Sequence, residues 1–172
     1  LIERYKDKWD WGSLSEYRLL WSESLIERYK DKLDWKSLSL NESLPWSESL
    51  IERYKDKWDW LFLSGCKPLP WSEELIERYE DKWHWRLLSA TSLPWSEELL
   101  ERYADKWNWG SLSENESLPW SEKLLERYKD KWDWHYLSSN ISLPWSEALI
   151  EHYKGKWKWG ERGVQYWEEK GK

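Results

Sequence analysis

A single cysteine, Cys66, a single phenylalanine, Phe62, and no methionine occur among the 172 residues of the chain. One cysteine forms no intrachain disulfide and supplies no Cys-rich zinc site, which excludes a disulfide-stapled secreted scaffold. No apolar run approaches the ~20 residues that a membrane-spanning helix needs. The opening Leu-Ile-Glu-Arg-Tyr-Lys-Asp-Lys has no apolar signal-peptide core and no initiator Met, and it starts inside a repeat. It reads as the interior of a longer protein or an artificial boundary, and a cytoplasmic location is the expectation. A net charge of −6, from 27 basic and 33 acidic residues, argues against a nonspecific DNA coat but leaves room for a local basic stripe.

What is abundant is aromatic: 20 Trp and 10 Tyr. A tandem repeat accounts for the excess. Trp-Ser-Glu starts at Trp21, Trp46, Trp71, Trp95, Trp120 and Trp145, in steps of 25, 25, 24, 25 and 25 residues. A second marker, Trp-x-Trp, falls at Trp9/Trp11, Trp58/Trp60, Trp83/Trp85, Trp107/Trp109, Trp132/Trp134 and Trp157/Trp159, with Leu33/Trp35 in one copy. Five complete copies lie between a truncated first copy (1–20) and a divergent last one (145–172).

Each copy predicts two short helices. In the copy beginning at Pro70, Ser72 is an N-cap type, and Glu73 and Glu74 favour the positive end of a helix dipole. Trp71 and Ile76 occupy the two positions of a hydrophobic staple. Leu75, Ile76 and Tyr79 then share one apolar arc of a helix over 73–82, which Trp83 extends, while Glu77 and Asp81 face away. The residue between the paired tryptophans is Asp10, Asp34, Asp59, Asn108 or Asp133 in five copies, again a cap type, opening a second helix of one or two turns. Asn41, Asn115 and Asn140 stand where a left-handed C-cap would fall, and Ser-Leu-Pro forces an extended connection. A 25-residue copy cannot by itself offset the entropy of ordering it, so each must bury a second face on its neighbours. The expectation is an all-α chain, an α-solenoid of about seven two-helix repeats of 24–25 residues, over 1–159. The polar segment 160–172 would be a C-terminal cap or tail, with Trp167 plugging the last apolar face. The tryptophans read as the core; the alternative is that one per copy forms an exposed platform for sugars, bases or cations.

Trp-Asp-Trp-x-x-Leu-Ser-x-Asn, as in Trp132 to Asn140, resembles the Trp-rich tandem repeats of proteins from large DNA viruses and some bacteria. The likeness covers nearly the whole chain, although the Asn is missing from several copies. It implies a helical repeat array and brings no activity, catalytic residue or ligand with it.

Little points to chemistry. His84, His135 and His152 sit in unrelated slots of the repeat, and Cys66 takes the slot of Asn41 and Asn115. No His-Glu-x-x-His, Gly-rich phosphate loop or Gly-x-Ser-x-Gly occurs, so the sequence predicts a non-enzyme without metal or cofactor. The sequons Asn41-Glu-Ser43, Asn115-Glu-Ser117 and Asn140-Ile-Ser142 could be glycosylated in a secreted protein, but a C-capping Asn followed by a repeat Ser explains them more simply. Arg28, Arg53, Arg78, Arg102 and Arg127 recur once per copy, as do Lys32, Lys57, Lys82, Lys106, Lys131 and Lys156. Stacked, they make a basic stripe beside a parallel acidic one, which either neutralise each other between copies or leave the basic one for an anionic partner.

The copies disagree most at the two residues after Trp-x-Trp: Gly12-Ser13, Lys36-Ser37, Leu61-Phe62, Arg86-Leu87, Gly110-Ser111, His135-Tyr136 and Gly160-Glu161. A buried position does not tolerate a change from Gly to Arg, so at least the first of each pair should be exposed. Variable residues on a constant frame suit a modular binder. The reading that follows is a repeat scaffold binding another macromolecule, a protein in the first instance, through Leu61, Phe62, Arg86, Leu87, His135 and Tyr136. The alternatives are a structural spacer or self-associating filament, and, more weakly, a binder of nucleic acid or polysaccharide; a membrane is not among the expected partners.

Overall fold

The computed structural model describes residues 4, 7–17 and 21–159; the expected cap at 160–172, with Trp167 and the pair Gly160-Glu161, lies outside them. The described chain is all-helical, with twelve short helices and no strand. The first helix of each copy is Glu23–Tyr29, Glu48–Arg53, Glu73–Arg78, Glu97–Arg102, Glu122–Arg127 or Glu147–His152. The second is Trp11–Glu16, Trp35–Ser39, Trp60–Leu63, Trp85–Ser89, Trp109–Glu114 or Trp134–Leu137. The chain divides into two compact units, Leu1–His84 and Trp85–Lys172.

The starts of both helices follow from their caps. Ser47 and Ser72 accept from Leu50 N and Leu75 N, and Ser121 accepts from Leu124 N, so three orphan amides find a side-chain oxygen. Asp34, Asp59 and Asp133 do the same for the second helices. The first helix is shorter than the expected 73–82. It ends at Arg78, because Tyr79 leaves helical geometry at φ −120°, ψ 29°. The chain then turns so that the Trp83 indole Nε1–H donates to Ile76 O at 3.1 Å. Trp58, Trp107 and Trp132 repeat that bond to Ile51, Leu100 and Leu125. An indole therefore takes over a helix-terminal carbonyl that a further backbone turn would otherwise satisfy.

Asn41, Asn115 and Asn140 are not left-handed caps. Among the described residues only Gly155 has positive φ, at 88°, and Asn115 lies at φ −74°, ψ 110°. Their own N–H groups close the second helix by bonding to Leu38, Leu112 and Leu137. Their side chains are buried and used elsewhere. Asn41 Nδ2 donates to Ser15 O (2.8 Å) and Tyr17 O (3.0 Å) of the preceding copy, and its Oδ1 accepts from Ser43 N at 2.9 Å. In the second unit Asn115 bridges to Ser89 O and Thr91 O, and Asn140 to Ser113 O. Left-handed geometry would aim the amide away from these carbonyls, and burying an amide requires partners.

A second tie runs through the motif serine. Ser39 Oγ donates to Trp35 O within its own helix and accepts from Asp59 N of the next copy at 2.9 Å. Ser15 and Asp34 repeat it in the first unit, and Ser113 and Asp133 in the second. These serines are buried because a small hydroxyl with both roles filled costs little inside.

The aromatic core is built between copies. Trp35 packs 4.7 Å from Tyr54 and 4.8 Å from Trp58 of the next copy, and Trp46 lies 5.0 Å from Trp58. Trp109, Tyr128, Trp132 and Trp120 repeat the cluster in the second unit. Beneath the rings Leu50, Ile51, Leu63, Leu75 and Ile76 are 0% exposed, as are Leu99, Leu100, Leu112 and Leu125. Each such side chain contributes about 1.5–3 kcal/mol through burial, and truncation to Ala costs ~2–5 kcal/mol. No described tryptophan is exposed. Within each unit the copies thus form a helical repeat stack glued by indoles.

Candidate functional site

The second helix sets which residues reach solvent. Its Asp cap fixes where the first turn begins; the Trp that opens it and the Leu three residues later point into the stack, leaving the two residues between them and the residue after the motif serine on the outer side. The structure places Lys36, Leu61, Arg86 and His135 in the exposed class, and Gly12 and Gly110 are half-buried. The second member of each pair grades from buried Ser37 through half-buried Phe62, Leu87 and Ser111 to exposed Ser13 and Tyr136.

On this face of the first unit, Lys36 Nζ stands 5.3 Å from the centre of the Phe62 ring in the next copy. Leu61 is 44% exposed and Leu40 54%, a large apolar exposure for leucine. In the second unit a cleft of about 370 Å³ brings His135 and Tyr136 together with Glu114, Glu116, Ser139 and Asn140. The Tyr136 ring lies over Gly110, where a Cβ would meet it at 3.6 Å, an ordinary contact. Sequence reasoning missed Leu40 and the 66%-exposed Ile141 as members of the outer surface. A signal existed: other copies carry Glu, Gly, Ala or Ser in the first slot, and Glu, Lys or Ser in the second.

The arginines lie on the flank of the first helices and pair backward by one copy. Arg53 meets Glu23 at 3.2 Å and Arg78 meets Glu48 at 3.2 Å. In the second unit Arg127 meets Glu97 at 3.4 Å and Glu101 at 2.6 Å. Arg28 and Arg102 are exposed on the same flank. The lysine row behaves likewise: Lys57, Lys82 and Lys131 reach Asp31, Asp56 and Asp105 of the preceding copy. The same ammonium groups sit over indoles, Lys57 over Trp35, Lys82 over Trp60 and Lys131 over Trp109, at 5.2 to 5.4 Å. The second Trp of each pair, the one with most solvent-facing ring, is thereby capped by a cation of the next copy.

The acidic residues expected to face solvent are ties as well. Tyr54 OH donates to Glu27, Tyr79 OH to Glu52 and Tyr153 OH to Glu126, each one copy back. The bound lysine i+3 first, then the tyrosine hydroxyl, holds the Glu27 and Glu52 carboxyls below their usual range and Glu126 at about 2. Burial, reinforced by the carboxylate, pushes the phenols of Tyr54 and Tyr79 up to about 12.

Among the described residues no group of three or more His, Cys, Asp and Glu is placed to hold a metal ion, and no helix is long and apolar enough to cross a membrane. The histidines occupy three separate copies. Burial, with the Glu42 charge adding, raises the Cys66 thiol to about 12, far from a reactive thiolate. No protein-family model, curated protein or solved structure matches the chain.

Proposed function

We propose that the chain is a non-enzymatic helical-repeat scaffold that binds another protein through the outer face of its second helices, with Leu61, Phe62, Arg86, Leu87, His135 and Tyr136 reading the partner. The observation that carries this reading is positional. The chemistry of the chain changes most at two slots per copy, and the first of them is exposed at Lys36, Leu61, Arg86 and His135, on a frame whose tryptophans and motif serines are committed to the stack. Leu40 and Leu61 beside Phe62, and Tyr136 beside His135, are the apolar and aromatic contacts that protein interfaces favour. The pairing of Arg53, Arg78 and Arg127 with the preceding copy weighs against nucleic acid along the arginine row, since those charges are already partly neutralised.

The test is selection of binders from a displayed random-peptide library. Changing the six residues together to Gly or Ser should abolish binding of the selected peptides while the far-UV spectrum and melting profile stay close to those of the parent. Binders that hold equally well to the sextuple variant would refute this assignment. Concentration-dependent light scattering that rises into filaments in the parent would instead favour the self-associating spacer.

A further inference from the structure

The repeat supplies an internal reference for one cleft of the second unit. One copy earlier, the Glu97 carboxylate accepts from Lys123 Nζ at 2.8 and 3.1 Å and from Arg127 Nη1 at 3.4 Å. The other amino nitrogen of Arg127 bonds Glu101 at 2.6 Å, and the guanidinium carbon stands 5.6 Å from the centre of the Tyr128 ring. Moving on 25 residues, Glu97, Glu101 and Tyr128 become Glu122, Glu126 and Tyr153, all unchanged in kind. Both cations are replaced, Lys123 by Ala148 and Arg127 by His152, while Ala104 gives way to Lys129, which pairs with Glu126.

The consequence is a cleft of about 310 Å³ lined by Glu122, Glu126, Ala148, Leu149, His152 and Tyr153. Among the described residues no cation reaches Glu122. His152 Nε2 approaches only Glu126, at 3.6 Å, and its shorter side chain leaves the volume that the arginine fills one copy earlier. Glu126 is held in place by Lys129 at 2.6 Å and Tyr153 OH at 2.8 Å, so one wall of the cleft is pre-oriented. Ala148 and Leu149 offer apolar surface to the methylenes of an incoming side chain.

We propose that this cleft captures an arginine side chain of a partner polypeptide, its guanidinium pairing with Glu122 as Arg53 pairs with Glu23 and Arg78 with Glu48 in the first unit. The planar fork of a guanidinium can give the Glu122 carboxylate two parallel N–H donors where an ammonium is a point charge, which selects arginine over lysine. This site lies on the first helices and does not depend on the outer face of the second helices.

Titration of the intact chain with the blocked peptide acetyl-Gly-Arg-Gly-amide, followed by the Ala148 methyl and the Glu122 side-chain carboxyl in NMR spectra, tests it. Saturable shifts confined to Ala148, Leu149, His152 and Glu122 are expected, with the lysine analogue binding at least tenfold more weakly. His152→Arg, which restores the residue of the other copies, should fill the cleft from within and weaken peptide binding at least tenfold while raising the melting temperature. Glu122→Gln should weaken it similarly without that stabilisation. Equal binding by His152→Arg, equal binding of the lysine peptide, or shifts spread over the carboxylates of every copy would overturn the assignment.

Discussion

Cys66 marks one copy in which the asparagine clamp is lost, and the chain two residues on explains why restoring it alone should fail. In the intact clamp, Asn41 gains two inter-copy bonds from Nδ2 and one local bond from Ser43 N to Oδ1. At Cys66 the receiving carbonyl of Ser39 is retained, but the residue matching Ser43 is Pro68, which has no N–H to give. Asn140, which stands at the same spacing from its serine, makes one such bond, so Cys66→Asn adds one donor bond, worth roughly 0.5–1.5 kcal/mol, and buries an amide oxygen without a donor, costing about 1–3 kcal/mol. The cost is the larger of the two, so the single variant should be less stable than the parent by about 1 kcal/mol. Pro68→Ser alone changes an exposed residue and should lose up to ~1 kcal/mol through unfolded-state entropy. Together they rebuild the clamp, and a coupling of about 1–3 kcal/mol in favour of the double variant is expected. Urea unfolding of the four proteins in the cycle measures it. Additivity within ~0.5 kcal/mol would refute the claim that the asparagine works as a donor–acceptor pair between copies.

Three further perturbations probe other ties. Ala104 stands where Lys30, Lys55 and Lys129 pin the glutamate three residues earlier; without that lysine Glu101 goes to Arg127, and the buried Tyr128 hydroxyl has no partner. Ala104→Lys should recapture Glu101 for Tyr128 and raise stability by about 0.5–1.5 kcal/mol, read as an increase in the urea midpoint; an unchanged or lower midpoint would contradict it. Because Asn41, Asn115 and Asn140 are spent on buried bonds, a chain secreted by a glycosylating host should carry glycan at these sequons only in molecules that lack the native near-ultraviolet spectrum, and folded glycosylated protein would disprove this. The phenols of Tyr54 and Tyr79, raised to about 12 when folded against an ordinary value near 10 when unfolded, add stability that is complete below pH ~10 and lost as pH climbs to 12. Tyrosinate absorbance and loss of helix should rise together across that window, whereas titration near pH 10 in a still-folded chain would count against the buried tyrosine–glutamate tie.

What the sequence makes legible is what depends on near neighbours. The period, the two helices per copy and the Ser and Asp caps all rest on side chains bonding amides two or three residues away. The stacking partners are less legible, because identical copies show that a slot matters without showing what it touches. Asn41 illustrates the difficulty: an asparagine just past a short helix fits a left-handed cap by local rules, while its actual partners lie 24 and 26 residues back. A clue stood in the chain itself. Asn at the clamp goes with Ser two residues later at 41/43, 115/117 and 140/142, whereas Cys66 is followed by Pro68 and Thr91 by Leu93. A cap would not require that second residue; a side chain that both donates and accepts does. The first helix ends earlier than its periodicity predicts for a related reason, since apolar periodicity continues through Trp83 although its indole has replaced the backbone as hydrogen-bond donor.

The ties between copies are many and partly redundant, and that redundancy bears on function. Where Cys66 removes the clamp, the Ser39 relay to Asp59, the packing of Trp35 on Trp58, the Lys57 cap on Trp35 and the Arg53–Glu23 pair all persist in the same unit. Where Thr91 shortens the loop, Trp95 Nε1 loses the acceptor that Trp120 and Trp145 find five residues back, the Thr91 carbonyl being taken by Leu93 N, yet Trp95 still packs 5.0 Å from Trp107. None of these contacts draws on the first residue of a variable pair except the one Lys36 makes with Phe62. A slot that can hold Gly, Lys, Leu, Arg or His with so little involvement in the stack is free to change without weakening it. That freedom permits a repeat to diversify its outer chemistry copy by copy, as a partner-reading surface must, while the indole-and-asparagine frame stays fixed.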